Sequence, residues 1–436
     1  MITTAQWIVL LGMVLSFALV VMLIRRRVNF GISLLLGSFL LSLFSLAAVS
    51  VESVFFAFLK ATIYDVQNAV FIWDTIELAV LMTLIFMLAS LMQDTGAIAK
   101  LIDSLRLLFN KGGTIAIIPA IYGLMPVPGG ALFSAPAVEE EGENFDLSVS
   151  DKNFFNVWFR HIWFPIYPIS SSILIMADLA ALNMYLLIMV NSISFFAMII
   201  VGYIILAWKT NRLFKKESKD KIQQSKNKSR KKTKKDLSGL LFLLPPLLPL
   251  SFSVLEYARI PLFTSFSIGV FVSIILLYKM SKVSWKNYKQ YIKQAATWKL
   301  VAVIAGIMIF REIFEVSGVN LTIYSLLEQL PFTPLVVVIV FPLLLGLLTG
   351  YLLSGITLSY VLLEPLFSCV DLCTVGLVSI LFMSGFVGYL ISPIHLCNVL
   401  SSEYLKTDTT RMYPLYIPAS IIVLTIQLLF VVFFLP

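Results

Sequence analysis

A chain of 436 residues that is 59% hydrophobic and only 13% charged is not built for water, since soluble domains carry roughly 25% charged residues. Many of its apolar runs approach the roughly 20 residues that span a bilayer, which marks an all-α polytopic membrane protein. The net charge of +8 is a local feature: residues 209–236 hold thirteen Lys/Arg against three Asp/Glu, a net +10 that leaves −2 for the rest. Such a stretch suits a cytoplasmic linker beside anionic lipid and argues against a nucleic-acid partner.

The first apolar run, Trp7 to Ile24, ends in Arg25–Arg27, expected inside because basic loops resist translocation. Phe30 to Val51 returns outward. Glu52 to Asn68 is mixed and suits the interface. Val70 to Met92 crosses inward, followed by Lys100, Arg106 and Lys111. An apolar arm, Thr114 to Met125, then leads into PVPGGALFSAP (Pro126 to Pro136) and an acidic segment, Glu139 to Asp151. If this region crossed fully, the basic linker would fall outside; a re-entrant hairpin keeps it inside. Phe154–Ala181 then goes out and Met184–Trp208 returns. Beyond the linker, Leu237–Leu255 goes out, Pro261–Tyr278 comes back, and the lysine-bearing segment Lys279–Lys299 stays inside. Leu300–Phe314 goes out, Pro334–Phe367 forms a second hairpin, Thr374–Cys397 returns, and Tyr413–Leu435 ends outside. The expected architecture is ten spans and two hairpins, with both termini outside. Residues 1–208 and 237–436 form two oppositely oriented repeats of five spans joined by the linker 209–236.

Proline and glycine at Pro126, Pro128, Gly129 and Gly130 cannot continue a helix. Non-helical backbone at membrane depth survives only when buried in protein or lining a wet cavity; the alternative is a turn at the membrane surface. The chain echoes the arrangement. Ser134 lies 38 residues past Gly96, and Ser354 lies 36 past Gly318; Pro168 lies 72 past Gly96, and Pro393 lies 75 past Gly318. Pro165, Pro168 and Pro393 interrupt apolar spans. A broken helix frees N–H groups that attract anions and carbonyls that can hold a cation such as Na⁺. Proline kinks that relieve packing are the plainer reading.

PVPGGALFSAP, the PIYPISSS stretch from Pro165 and the ISPIHLC…EYL stretch from Ile391 resemble the domain of unknown function 401 family of prokaryotic membrane proteins. That family is grouped with the ion transporter superfamily, beside gluconate permeases, divalent-anion/sodium symporters and arsenite or Na⁺/H⁺ antiporters. The resemblance covers the chain outside the linker. It implies an inverted-repeat secondary transporter, often a homodimer, holding its substrate between hairpin tips and broken helices and moving it by an elevator-like displacement. The Ser-Asn-Thr signature of the divalent-anion symporters is absent; the tips read Gly129 to Ser134 and Gly350 to Gly355, so a dicarboxylate preference is not carried over.

Candidate substrate-binding residues are Pro128, Gly129, Gly130 and Ser134 at the first tip, Ser170, Ser171 and Ser172 at the first break, Ser354 at the second tip, and Pro393, His395 and Asn398 at the second break. Asp178, Thr349 and Gly350 are candidates for ion coupling. Each has a structural alternative, since small hydroxyls also aid helix packing. His161, beside Arg160 near a span entrance, suits an interfacial role. Glu312 and Glu315 suit a local pair with Arg311, and Glu364 suits either the cavity or its rim. Cys369, Cys373 and Cys397 are read as packing residues, because no second pair completes a metal set. No G-x-x-x-x-G-K loop supports ATP use. The expected function is secondary transport of a small anion, most simply an organic acid, across the cytoplasmic membrane. No metal or organic cofactor is expected beyond Na⁺ or H⁺ as coupling ion. A channel, or an intramembrane hydrolase using Ser134 and His395, are the alternatives. Cysteines introduced at Ser225 and Ser284 should resist an impermeant thiol reagent in intact cells; labelling of either from outside contradicts the expected topology.

Overall fold

The computed structural model describes residues 3–435 except 109–113, 125–130, 169, 211–236, 253–254, 256–258, 296–297, 328–333 and 368–371. Most of the linker and the Pro126–Gly130 part of the first tip therefore lie outside the described residues, Pro128, Gly129 and Gly130 among them.

The chain is helical nearly throughout. α1 (Thr4–Arg25), α2 (Phe30–Ser45) and the amphipathic α3 (Val51–Thr62) lead to a two-residue antiparallel ribbon, β1 (Tyr64–Asp65) with β2 (Val70–Phe71). The ribbon takes Val70 out of the expected span, so α4 runs Asp74–Asp94. After α5 (Ala97–Leu108) come two short helices, α6 (Thr114–Gly123) and α7 (Ala131–Glu143), then α8 (Val149–Arg160), α9 (Ser171–Leu179) and α10 (Met184–Lys209). The second half holds α11 (Leu244–Phe252), α12 (Leu262–Ser281), α13 (Trp285–Ala295), α14 (Trp298–Val316), α15 (Val319–Leu327), α16 (Pro334–Thr349), α17 (Leu352–Leu363), α18 (Leu372–Ile391), α19 (Leu396–Tyr404) and α20 (Tyr413–Phe434). Side-chain caps start several of these: Asn29 accepts from Ile32 N, Ser148 from Asp151 N, and Asn183 from Tyr185 N, each pairing an N–H that the helix leaves open.

Six helices among the described residues are long and apolar enough to cross a bilayer, so the chain is an integral multi-pass membrane protein. Of the others expected to span, α14 is an unbroken helix of 19 residues that carries Lys299, Arg311, Glu312 and Glu315, and the rest are shorter or broken. α2 has 16 residues, and the stretch expected from Phe154 to Ala181 is divided into α8 and α9. At 1.5 Å per residue, α6 is about 15 Å long, half of a roughly 30 Å hydrocarbon core.

Packing sorts the helices into two sets. In one, α2 lies against α1 and α14, α14 also touches α3 and α4, and α12 packs on α4 and α11. In the other, α6 packs on α7 and α8, α16 packs on α17 and α18, and α18, α10 and α20 touch one another. Contacts also exchange between the halves: α7 packs on α19, and α9 packs on α17. Glycine permits the closest crossings, as small residues do where lipid supplies no hydrophobic drive. A Cβ on Gly346 would meet the Gly385 carbonyl and one on Gly388 the Leu343 carbonyl, while Gly31 and Gly306 bring α2 against α14. Gly96 and Gly318 instead serve the backbone. Each turns the chain between two helices at positive φ, 71° and 66°, where a Cβ is disfavoured.

Polar contacts join helices distant in sequence. Lys60 pairs with Glu312 at 2.8 Å and Arg311 with Glu364 at 3.2 Å, and Asp178 lies in the fields of Asp74 and Arg311. Arg311 lies in the field of Glu312 as expected, but the contacts at ion-pair distance are long-range, Glu312 with Lys60 and Arg311 with Glu364. Elsewhere Lys209 pairs with Asp151 at 3.0 Å, Gly239 N donates to Ser104 Oγ at 3.1 Å, and Asn29 Nδ2 reaches the Lys299 carbonyl at 3.4 Å. Gly388→Ala should lower the thermal midpoint of the purified protein, equivalent to about 1–3 kcal/mol of overpacking, because a backbone carbonyl cannot rotate away. Leu344→Ala, on the half-exposed outer face of α16, should change little. Equal effects from the two would contradict the glycine-mediated crossing.

Candidate functional site

Prolines end two spans for the same reason: Pro165, Pro168 and Pro393 bring no N–H to a helical ladder. α8 stops at Arg160 and α9 starts at Ser171; α18 stops at Ile391 and α19 starts at Leu396. The free carbonyls left behind are met by buried side chains. Asn398 Nδ2 donates to the Leu390 and Ser392 carbonyls at 2.7 and 3.0 Å. Asn191 Nδ2 donates to the Pro165 carbonyl at 3.0 Å. At the hairpins, Asn156 Nδ2 donates to the Ala131 carbonyl at 2.8 Å, Arg160 Nη1 to Tyr122 at 2.7 Å, and Ser392 Oγ to Leu347 at 2.7 Å.

Between these interruptions lies a cavity of about 350 Å³, within the usual range for small-molecule sites. One wall is apolar, from Met82, Ile85 and Phe86 of α4 and Leu300 of α14. The other is formed by three helix starts: Ser170–Ser172 of α9, Tyr351–Leu353 of α17 and His395–Cys397 of α19. None of these three carries a side-chain cap, so their first N–H groups remain to be satisfied from the cavity side. Each helix start bears a partial positive charge equivalent to roughly half an elementary charge. Arg160, 2% exposed, is the one formally charged side chain among the described lining residues. The cavity is thus electropositive on one side and apolar on the other. Gly350 closes the second tip at a φ of 60° with its Cα face against Ile394 and His395.

The structure brings together Ser170, Ser171, Ser172, Gly350 and His395 around this space. Other candidates lie apart from it. Ser134 is fully buried and donates to Asn156 Oδ1 at 2.6 Å, so it is not hydrogen-bonded to a histidine as a hydrolase pair requires. Ser354 donates to Thr349 Oγ1 at 2.7 Å, and Thr349 donates in turn to the Leu345 carbonyl at 2.7 Å; both serve the second tip from within. Asn398 seals the second break, and Pro393 is exposed. Asp178 and Glu364 belong to the ionic cluster with Arg311 described above.

Two expectations are corrected. His161 is not interfacial but fully buried, because the first break folds it inward against α18. Its Nδ1 lies 2.6 Å from the Val157 carbonyl, its Nε2 3.3 Å from the Tyr389 hydroxyl, and its ring centroid 4.8 Å from that of His395. The cysteines are not alike: Cys373 is disulfide-bonded, whereas Cys397 is a buried free thiol at the start of α19. Neither ring nitrogen of His395 makes a well-formed hydrogen bond. The Leu390 carbonyl lies beside the His395 ring and also accepts from Asn398 Nδ2. The ligand atoms of His161, His395 and Cys397 all lie within 4.8 Å of one another, the one such His/Cys/acid group among the described residues. Sequence reasoning missed the trio and Arg160. The available signal was that each of only two histidines sits beside a proline interruption.

Replacing Asn398 by Ala orphans two buried carbonyls and should destabilise the folded protein by about 1–3 kcal/mol. Unchanged unfolding of the purified variant would show that the second break does not depend on this amide. Among curated proteins, none matches the chain. Over residues 8–435 the sequence matches the family described as Protein of unknown function (DUF401), and the chain belongs to that family.

Proposed function

We propose that this protein is a secondary active transporter for a small anion, most simply an organic acid, in the cytoplasmic membrane. The observation that carries this reading is the convergence of three uncapped helix starts and the Arg160 guanidinium on one cavity. Helix N-termini attract anions through free N–H groups and the helix dipole together, and the dry walls from α4 and α14 strengthen that field. The cavity suits a carboxylate with a short apolar body. Transporter sites of this kind lie at the interface of two repeats, where discontinuous helices aim their N-termini at the anionic group.

The same reading makes the halves two inverted repeats of five transmembrane helices, each with one re-entrant hairpin and one broken helix. Both halves run through a long helix, a positive-φ glycine, an amphipathic helix, a two-armed hairpin, an interrupted span and a final span. Hairpin arms too short to cross support re-entry. So does the meeting of Ser104 with Gly239 and of Asp151 with Lys209, since these flank the first hairpin and the linker ends. Disulfides persist in oxidising compartments, so Cys373 supports an outward start for α18. Elevator-type movement would carry the hairpins and broken helices past α4 and α14, whose side chains form the opposing wall. Coupling falls to Na⁺ or H⁺, with His395 and Asp178 as the residues to test for a proton route. We take the working unit to be a homodimer, as the family resemblance implies.

A thermal-stability screen of the full-length protein against anions, in Na⁺ and in choline, tests the reading. An anion at a hundredfold its Kd should stabilise the fold by about 2.7 kcal/mol. Ser171→Ala should weaken that binding by about 1.5–3 kcal/mol, as expected for a hydrogen bond to a charged group. Na⁺ coupling predicts that the anion also tightens Na⁺ binding by the same factor. If no anion stabilises the protein, or Ser171→Ala binds it unchanged, the transport reading loses its site.

A further inference from the structure

His395 and Cys397 line the cavity and His161 lies beside them, its ring centroid 4.8 Å from that of His395, yet anion binding at helix starts does not need this trio. We propose that these three side chains form a Zn²⁺ site, with a fourth coordination position open to the cavity and filled by an anion. This assignment does not require the chain to be a carrier.

Four observations support it. All three residues are buried, with ligand atoms within 4.8 Å of one another. His395 is 1% exposed and neither ring nitrogen has a well-formed hydrogen bond, which is rare for a buried polar group unless something else binds there. The Val157 carbonyl can only accept, so His161 Nδ1, 2.6 Å away, carries the proton and Nε2 presents its lone pair. A ligating histidine is typically oriented by such a second bond from its other ring nitrogen. Finally, Cys397, the second residue of α19, is a buried free thiol, a soft donor that zinc accepts.

The donor set is two imidazoles and one thiolate. Three protein ligands with an open fourth position is the zinc arrangement that keeps room for an exogenous ligand. Zn–N and Zn–S bonds of about 2.0–2.1 and 2.3 Å place tetrahedral ligands roughly 3.3–3.6 Å apart. Closing from 4.8 Å is within reach of side-chain rotation, and the ion would replace the long Tyr389–His161 contact of 3.3 Å. On binding, the Cys397 S–H bond breaks, its proton leaves to solvent and the sulfur lone pair bonds the metal. Both imidazoles bind as neutral rings. The thiolate cuts the added charge from two to one, and the anion in the fourth position cancels the remainder. That anion answers the electropositive helix starts and Arg160, which by themselves oppose a bare cation.

The experiment uses the full-length protein in detergent, with Co²⁺ as a spectroscopic stand-in and chloride as the anion. The expected result is one Co²⁺ per chain, with a thiolate-to-cobalt charge-transfer band that Zn²⁺ abolishes. One proton should be released per ion, so that affinity falls as the pH is lowered. Cys397→Ser should remove the band, and His161→Ala and His395→Ala should each weaken binding more than tenfold. Wild-type protein that binds neither Co²⁺ nor Zn²⁺ overturns the proposal, whatever the variants do. A band that persists in Cys397→Ser overturns it as well. Loss of anion-induced stabilisation alone, with the cobalt band intact, would strike the transport reading and leave the metal site standing.

Discussion

Backbone amides and carbonyls that no helix satisfies, buried inside the protein, govern this molecule. Each such group costs several kcal/mol in hydrocarbon, and the chain creates many of them by interrupting two spans and folding two hairpins. The interruptions persist because carbonyls are answered by a small set of buried side chains. Asn398 serves the second break, Asn191 the first, Asn156 the exit of the first hairpin, and Thr349 and Ser354 the second tip. The asparagines are themselves tied in. Asn191 accepts from Ser379, which accepts from Gln427, and Gln427 accepts from Ser194. These residues lie on α10, α18 and α20. A fully satisfied buried network of this sort holds its members in one arrangement.

Satisfaction is asymmetric. Carbonyl ends are sealed from within the protein, whereas the N–H ends of α9, α17 and α19 carry no side-chain cap and turn toward the cavity. The three unfinished ends point to one place, and that convergence, rather than any single residue, gives the cavity its positive character. Apolar side chains of α4 and α14 line the facing wall and let those partial charges act in a low dielectric.

Much of this was legible in the chain. Membrane class follows from composition, the hairpin and break positions from proline and glycine, and membership of the family from PVPGGALFSAP, PIYPISSS and ISPIHLC. Ser170–Ser172, Gly350 and His395 could be singled out because they adjoin those breaks. Arg160 and His161 could not, since a charged residue beside a histidine before an apolar run has the pattern of a membrane surface. Only the inward fold of the first break buries them. The partners of Glu312 and Arg311 were hidden for a related reason: Lys60 and Glu364 are distant in sequence, and helix-neighbour rules see only residues three or four apart.

By itself, then, the sequence determined where helices form and where they must stop, because those are local matters of hydrogen-bond supply and side-chain hydropathy. It did not determine which side chain seals which interruption, which glycines meet across helices, or that His161, His395 and Cys397 share one spot. Those depend on how α7 meets α19, how α9 meets α17, and how closely glycine lets α16 approach α18. Such contacts join helices that are not neighbours in the chain, α7 and α19 being more than two hundred positions apart, and they are decided by shape and hydrogen-bond satisfaction in three dimensions, which no short stretch of chain records.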